Sequence, residues 1–438
     1  MSNVAQHLAK YALKSADIMI PKKGIDLSKW AVVACDQYTS EPEYWEQVSK
    51  LVQDDPSTLH LIYPEVYLEE ENPKKRIDAI NATMKMYVDE HLFETFEDSF
   101  FLVHRITDNN PIGRWGLLVA LDLEMYDYAP DSRSLIRATE GTILSRIPPR
   151  KEIRKAAPLE LPHIMVLIND ESRSVIEPLI QKKEALKKAY ETSLMANGGE
   201  LRAWVVDSES DKQAIAIAVE EMYKKLDPSN PLLFAMGDGN HSLATAKSCW
   251  NDIKATLDEA EQKTHPARWA LVELENIFDP GLQFEPIHRV LFGVDRQTFF
   301  AEVATMCESY SIQEVATLDA MDKTINKPGS PQCFGFCNSE GFFVVSLEKP
   351  HASIAAGTLQ LVIDSLLQQK MASVDYIHGE TVTAQLGQKA GNIGLILPNV
   401  SKETFFFSII EDRALPRKTF SMGEAHEKRY YLECRKIQ

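Results

Sequence analysis

Apolar positions along the chain fall into two alternating periods, about two and about 3.6 residues, which is the signature of interleaved strands and helices. Ala31 to Cys35 is a short apolar run that ends at Asp36. Behind it, Ser40 with Glu43 three residues on has the form of a capping box that opens the helix EPEYWEQVSKLV. A second helix is predicted over Pro73–Leu92. The runs FFLVHRI and RWGLLVALDL on either side of DNNPIG predict a hairpin. A polar loop from Arg133 to Arg154, a strand HIMVLIND, a helix within Glu171–Leu194 and a strand RAWVVD follow. The segment SDKQAIAIAVEEMYKKL reads as a capped helix.

The clearest local architecture is PLLFAMGDGNHSLATAKSCW: an apolar strand, a glycine-bearing turn and a helix that begins near Ser242. From about Gln297 the pattern gives a helix, strands at QCFGFC and GFFVVSL, a helix at TLQLVIDSLLQQK, and strands at NIGLILP, TFFFSII and YYLECRKI. Together these predict an α/β (α+β) protein with mixed sheets. A first domain spans 1–295 and carries the glycine turn, and a second α+β half spans 296–438.

Length supports the division, since single cores stop growing near about 250 to 300 residues and the chain has 438. A net charge of -17 repels polyanions, which argues against nucleic acid as a partner. No run of about 18 apolar residues spans a bilayer, and the N-terminal segment lacks the apolar core of a signal peptide, so a cytoplasmic protein without a membrane partner is expected. Six scattered cysteines do not form a disulfide framework, and Cys333 and Cys337 share one strand face without a second pair to complete a zinc site.

Chemistry concentrates in four places. In GDGNHS, Gly237 and Gly239 flank Asp238 and allow a tight turn into a helix, whose N-terminus is a ready anion site to which Asn240, His241 and Ser242 add donors. The alternative is that Asp238 or Ser242 simply caps the helix. In SLIRATEGTILSRIPPR, the arginines Arg137, Arg146 and Arg150 lie near Glu140 and Thr142, which suits an oxyanion ligand or a solvated ion-pair loop. Finally, His288 and Arg289 close FDPGLQFEPIHRVL, while YIHGET and PRKTF offer His378, Glu380, Arg417, Lys418 and Thr419 in the second half.

These landmarks, in this order, resemble the DUF1015 family: STLHLIYPE from Ser57 to Glu65, TEGT followed by Arg146, DGNHSLATA, DPGLQFEPIHR, YIHG and LPRKTF. Asp238, Gly239 and His241 match the family's central motif. Asn240 stands where a histidine is usual and Ser242 where an arginine is usual, a role that Arg146 or Arg289 could fill. That motif is in turn similar to the phosphate-binding signature of the ParB/sulfiredoxin-like superfamily, which implies such an element around residues 100–260.

The resemblance implies a nucleotide-dependent phosphotransferase acting on a small hydroxylated metabolite, with ATP, ADP or another nucleotide and Mg²⁺. Glu140, His241 and Asp238 would be catalytic, with Asp238 also the metal ligand. Gly239, Asn240, Ser242, Arg146, Thr142, His288 and Arg289 would hold a phosphate-bearing small molecule. Two rivals stay open: a metal-dependent phosphoester hydrolase using Asp238, His241 and Asp36 or His288, and a non-catalytic nucleotide-binding adaptor.

Overall fold

The computed structural model describes residues 3–438. Helices and mixed sheets alternate along it, as an α/β protein requires. The chain forms two compact units, Met1–Leu282 with Gly423–Gln438, and Gln283–Met422. This differs from a boundary at 295 in two ways, each with a physical cause. Strand Glu285–Phe292 pairs with Ser373–His378 and Asn392–Ile396, so it belongs to the second sheet. The segment after Met422 returns to the first unit: the Tyr430 N–H donates to the Val32 carbonyl at 3.0 Å and the Met19 N–H to the Cys434 carbonyl at 2.8 Å. Arg435–Lys436 then pairs with Leu159–Glu160.

The first unit is built on an eleven-stranded sheet. Its middle runs Ile136–Arg137, Phe234–Asp238, Met165–Ile168, Trp269–Asn276, Arg114–Asp122, Phe93–Ile106 and Gly199–Val206. The expected hairpin is present as Phe93–Ile106 against Arg114–Asp122, with Val103 opposite Gly116. Strand Phe234–Asp238 lies parallel to Ile136–Arg137 and antiparallel to Met165–Ile168. Phe234, Ala235 and Met236 are fully buried, which is why this strand reads as a continuous apolar run rather than an alternating one. Its register against Met165–Ile168 shifts between Met236 and Asp238. A shift of this kind bends a strand and re-aims the residues beyond it.

Helix Asn240–Lys254 follows at once and buries Leu243, Ala246 and Trp250 against the same core as Phe234 and Met236. Burial of this apolar stripe fixes the turn between strand and helix. Removing a side chain of the size of Trp250 from such a core costs about 3 to 5 kcal/mol. Helix Glu209–Lys224 is capped as expected, with Ser208 Oγ accepting from the Asp211 N–H.

Several expected elements differ. Helix Pro42–Val52 has Glu41, not Ser40, at its N-cap and no side-chain cap, because proline at the first helical position already removes one orphan donor. Ala31 to Cys35 forms no strand, only an isolated bridge from Val33 to Arg429. Within Glu171–Leu194 the helix is short, Glu177–Gln181, and Lys187–Leu194 is an edge strand paired with Gly199–Val206. The loop Arg133 to Arg154 contains a helix, Ile147–Arg154. TFFFSII is helical within Lys402–Asp412, where Ser401 caps the Thr404 N–H and Phe405, Phe406 and Ile409 face inward at helical spacing.

The second unit has a seven-stranded sheet in which Ser309–Val315, Gly341–Glu348, Cys333–Asn338, Asn392–Ile396, Glu285–Phe292 and Ser373–His378 follow one another. Helices Arg296–Val303 and Ala355–Gln368 pack on it through Phe299, Phe300, Leu359 and Ile363. All six cysteines are unpaired thiols. No helix of the described residues is long and apolar enough to cross a membrane.

Candidate functional site

Gly239 is the residue on which the turn depends. It sits at φ +82°, a left-handed conformation that glycine adopts without penalty, and it is the N-cap of helix Asn240–Lys254 without supplying any side-chain cap. A Cβ there would lie 3.1 Å from Ile164 Cγ1. The reading in which Asp238 or Ser242 caps the helix is therefore replaced: Asp238 Oδ1 instead accepts the Gly239 N–H at 2.7 Å. The first turn of the helix keeps donors that have no intrahelical partner, at the positive end of its dipole.

Asp238 Oδ2 meets Lys428 Nζ at 2.8 Å, with the two side chains only 26% and 20% exposed. Burial raises the carboxyl pKa, but the Lys428 ammonium and the Gly239 N–H outweigh it and hold it below the usual carboxylate range. Burial likewise opposes the charge on Lys428, and Asp238, Asp36 and Glu140 overcome it, so the lysine pKa is raised. Both groups are charged at neutral pH. With one Asp238 oxygen on a backbone amide and the other on an ammonium, the expected Mg²⁺ ligand does not fit here. Among the described residues no group of three or more His, Cys, Asp or Glu side chains could hold a metal ion.

The loop 140–146 lies against the turn. The Ile143 N–H donates to His241 Nε2 at 3.2 Å, so His241 ties the two segments together. Thr142 Oγ1 and Asn240 Oδ1 are buried without a hydrogen-bond partner among the described residues. A buried polar atom left in this way costs about 1 to 3 kcal/mol, and of the two only the Thr142 hydroxyl is a donor; Asn240 Oδ1 is an acceptor. Arg146 is exposed, and no ion pair of its side chain occurs among the described residues. Arg150 pairs with Glu65, whose pKa is raised because burial outweighs that pair. Arg137 is spent on the Ser134 and Pro231 carbonyls.

Ser242 turns away from the helix axis toward His163, Oγ to Nε2 at 2.9 Å. Burial lowers the His163 pKa further than Asp36 and Asp238 can raise it, so the ring is neutral at neutral pH. Behind the turn, Asp36, His163, Asp238, Glu273 and Lys428 line a cavity of about 20 Å³, enough for one water.

Thus Asp238, Gly239, Asn240, His241, Ser242, Glu140, Thr142 and Arg146 fall in one neighbourhood of the first unit. His288 and Arg289 belong to the second unit. There His288 Nδ1 accepts the Leu397 N–H at 3.1 Å, and fully buried Arg289 lies over the Tyr376 ring at 5.3 Å. Lys428 and His163 were not singled out in the sequence. Lys428 stands 190 residues from Asp238 in a plain basic and aromatic run, and no spacing rule links such positions.

The model of a family described as "protein of unknown function (DUF1015)" matches residues 19–369. The chain belongs to the DUF1015 family. No curated protein matches it. Among solved structures, this DUF1015 member is similar to a conserved hypothetical protein from Pyrococcus furiosus (TM-score 0.34, 11% identity, covering 69% of this chain and 89% of that one). It is also similar to a free serine kinase in complex with AMP (TM-score 0.37, 9% identity, 72% and 91% covered). A third likeness is to SbnI with a C-terminal truncation from Staphylococcus aureus (TM-score 0.34, 9% identity, 69% and 81% covered).

Proposed function

We propose that the turn 238–242 and the loop 140–146 bind the terminal phosphate of a nucleotide, and that the protein transfers that phosphoryl group to a hydroxyl of a small metabolite. The observation that carries this reading is the uncapped helix N-terminus at Gly239 with the buried, unpartnered Thr142 hydroxyl beside it. Backbone amides of the first helical turn and the Thr142 hydroxyl donate to phosphate oxygens, and Arg146 supplies a cation. Lys428 keeps Asp238 ionised and fixes the turn. Glu140 accepts the proton of the attacking hydroxyl while its oxygen bonds to phosphorus and the bridging P–O bond breaks, releasing the shortened nucleotide. Catalysis in such a transfer comes mostly from positioning and charge neutralisation.

Thermal shifts against ATP, ADP, CTP and small phosphorylated metabolites test the binding half, because a ligand at 100 times its Kd stabilises by about 2.7 kcal/mol. His241→Ala should lose the shift, since it frees the loop from the turn. Glu140→Gln should keep the shift and abolish phosphoryl transfer. No shift with any phosphate compound would sink the proposal. A shift with no turnover in the unaltered protein would leave a nucleotide-binding adaptor.

A further inference from the structure

The turn has a second side. Ser242 and His163 also line a pocket of about 140 Å³ whose walls come from six stretches of the first unit. Leu61, Leu68 and Met84 form one wall, and Ile153, Leu159 and Leu161 another. Its size is close to the roughly 150 Å³ of an apolar cavity that takes up benzene.

The charges in the lining are already matched. Arg150 pairs with Glu65 and Arg154 with Glu160, so an ionic ligand would have to break an ion pair to enter. The Tyr430 hydroxyl is occupied with Cys35 Sγ at 3.0 Å. Thr245 Oγ1 donates to the His241 carbonyl at 2.7 Å. What remains for a ligand is the Ser242 to His163 contact, at the end of the pocket nearest the phosphate turn. His163 Nδ1 has no hydrogen-bond partner among the described residues, so nothing else fixes the ring's tautomer.

We propose that this pocket is an acceptor site for a neutral molecule with a ring-sized apolar body and a hydroxyl group, the body lying among Leu61, Met84, Ile153 and Leu159 and the hydroxyl meeting Ser242 and His163. The word acceptor rests on the phosphotransferase reading; the binding of such a molecule does not. Because Ser242 belongs to the first helical turn, a hydroxyl held there lies beside the amides assigned to phosphate. A site built to hydrogen-bond a hydroxyl discriminates against the analogue that lacks it, since its own polar groups are then left unpaired.

The full-length protein should be titrated with benzyl alcohol and with toluene by ligand-observed NMR, and separately with ATP and ADP by thermal shift. Benzyl alcohol should bind, and Ile153→Trp, which fills the pocket, should weaken it at least tenfold while leaving any nucleotide shift in place. If that variant fails to fold, Leu68→Trp from the opposite wall serves the same purpose. Ser242→Ala should weaken benzyl alcohol several-fold and leave toluene unchanged. No binding of benzyl alcohol, or binding untouched by the filled pocket, overturns the proposal, as does a Ser242→Ala protein that treats both probes alike. A protein that binds benzyl alcohol but shifts with no nucleotide keeps the pocket and loses the phosphotransferase reading.

Discussion

Two junctions in this protein share one element order. At Asp238-Gly239-Asn240 in the first unit and His378-Gly379-Glu380 in the second, a strand is followed by a glycine of positive φ that begins a helix without any side-chain cap, although ψ differs, 26° at Gly239 and 127° at Gly379. Their surroundings differ. Gly239 sits under Ile164, with Asp238 held by Lys428 next to it. Gly379 faces open space, and its helix begins with Glu380, whose pKa is raised by burial and then by Asp322 and Asp319. A helix N-terminus without a side-chain cap thus lies beside a lysine in one place and beside acids in the other. Helix geometry supplies the donors, and the neighbouring charges decide whether an anion can use them.

The largest expected effect comes from breaking the pair that distinguishes the first junction. Lys428→Met leaves Asp238 buried without its cation and should cost about 3 kcal/mol by denaturant midpoint, together with the phosphate-compound shift. Lys428→Arg should recover part of both.

Acid should separate the two units next. Burial first, then Arg289 and His378, lower the His288 pKa to about 4. The unfolded chain takes up that proton near about 6.5, so stability is full above this value, falls as pH drops toward about 4, and levels off below. The loss amounts to about 3 kcal/mol at most, and His288→Gln should flatten it. Asp238 is shifted in the same direction but in a lower window: its contribution is present above the unfolded carboxylate pKa of about 3.9 and is lost only as pH falls through its lower folded value. A pH series of melting curves should therefore show the second unit weakening first.

Gly239→Ala combines left-handed strain with a close contact and should cost about 2 kcal/mol and the phosphate-compound shift. Gly379→Ala meets only backbone strain, at φ 86° and ψ 127°, of about 1 to 3 kcal/mol, and should leave ligand binding unchanged. Equal ligand effects at the two glycines would collapse the distinction between the junctions.

The turn was legible in the sequence because strand, glycine and helix are consecutive and each follows a local rule. The hairpin around residues 107–113 and the capped helix after Ser208 were legible for the same reason. TFFFSII was not, since a run of apolar β-formers suits a strand and a buried helix face alike, and only the Ser401 cap tips the balance. Lys187–Leu194 alternates too weakly at a sheet edge to announce itself. In the site, Asp238, His241 and the loop 140–146 carried motif signals, whereas Lys428 and His163 reach it only through the tertiary path of the chain.

That path sets an order in time. Lys428 and the strand Arg435–Lys436 belong to the first unit yet lie beyond all of Gln283–Met422, so on the ribosome the second unit is complete before the first can close. Until residue 428 emerges, Asp238 has no cation and the turn at Gly239 lacks the Asp238 to Lys428 pair. A nascent chain in which synthesis halts anywhere in the second unit therefore exposes an unfinished turn at Gly239.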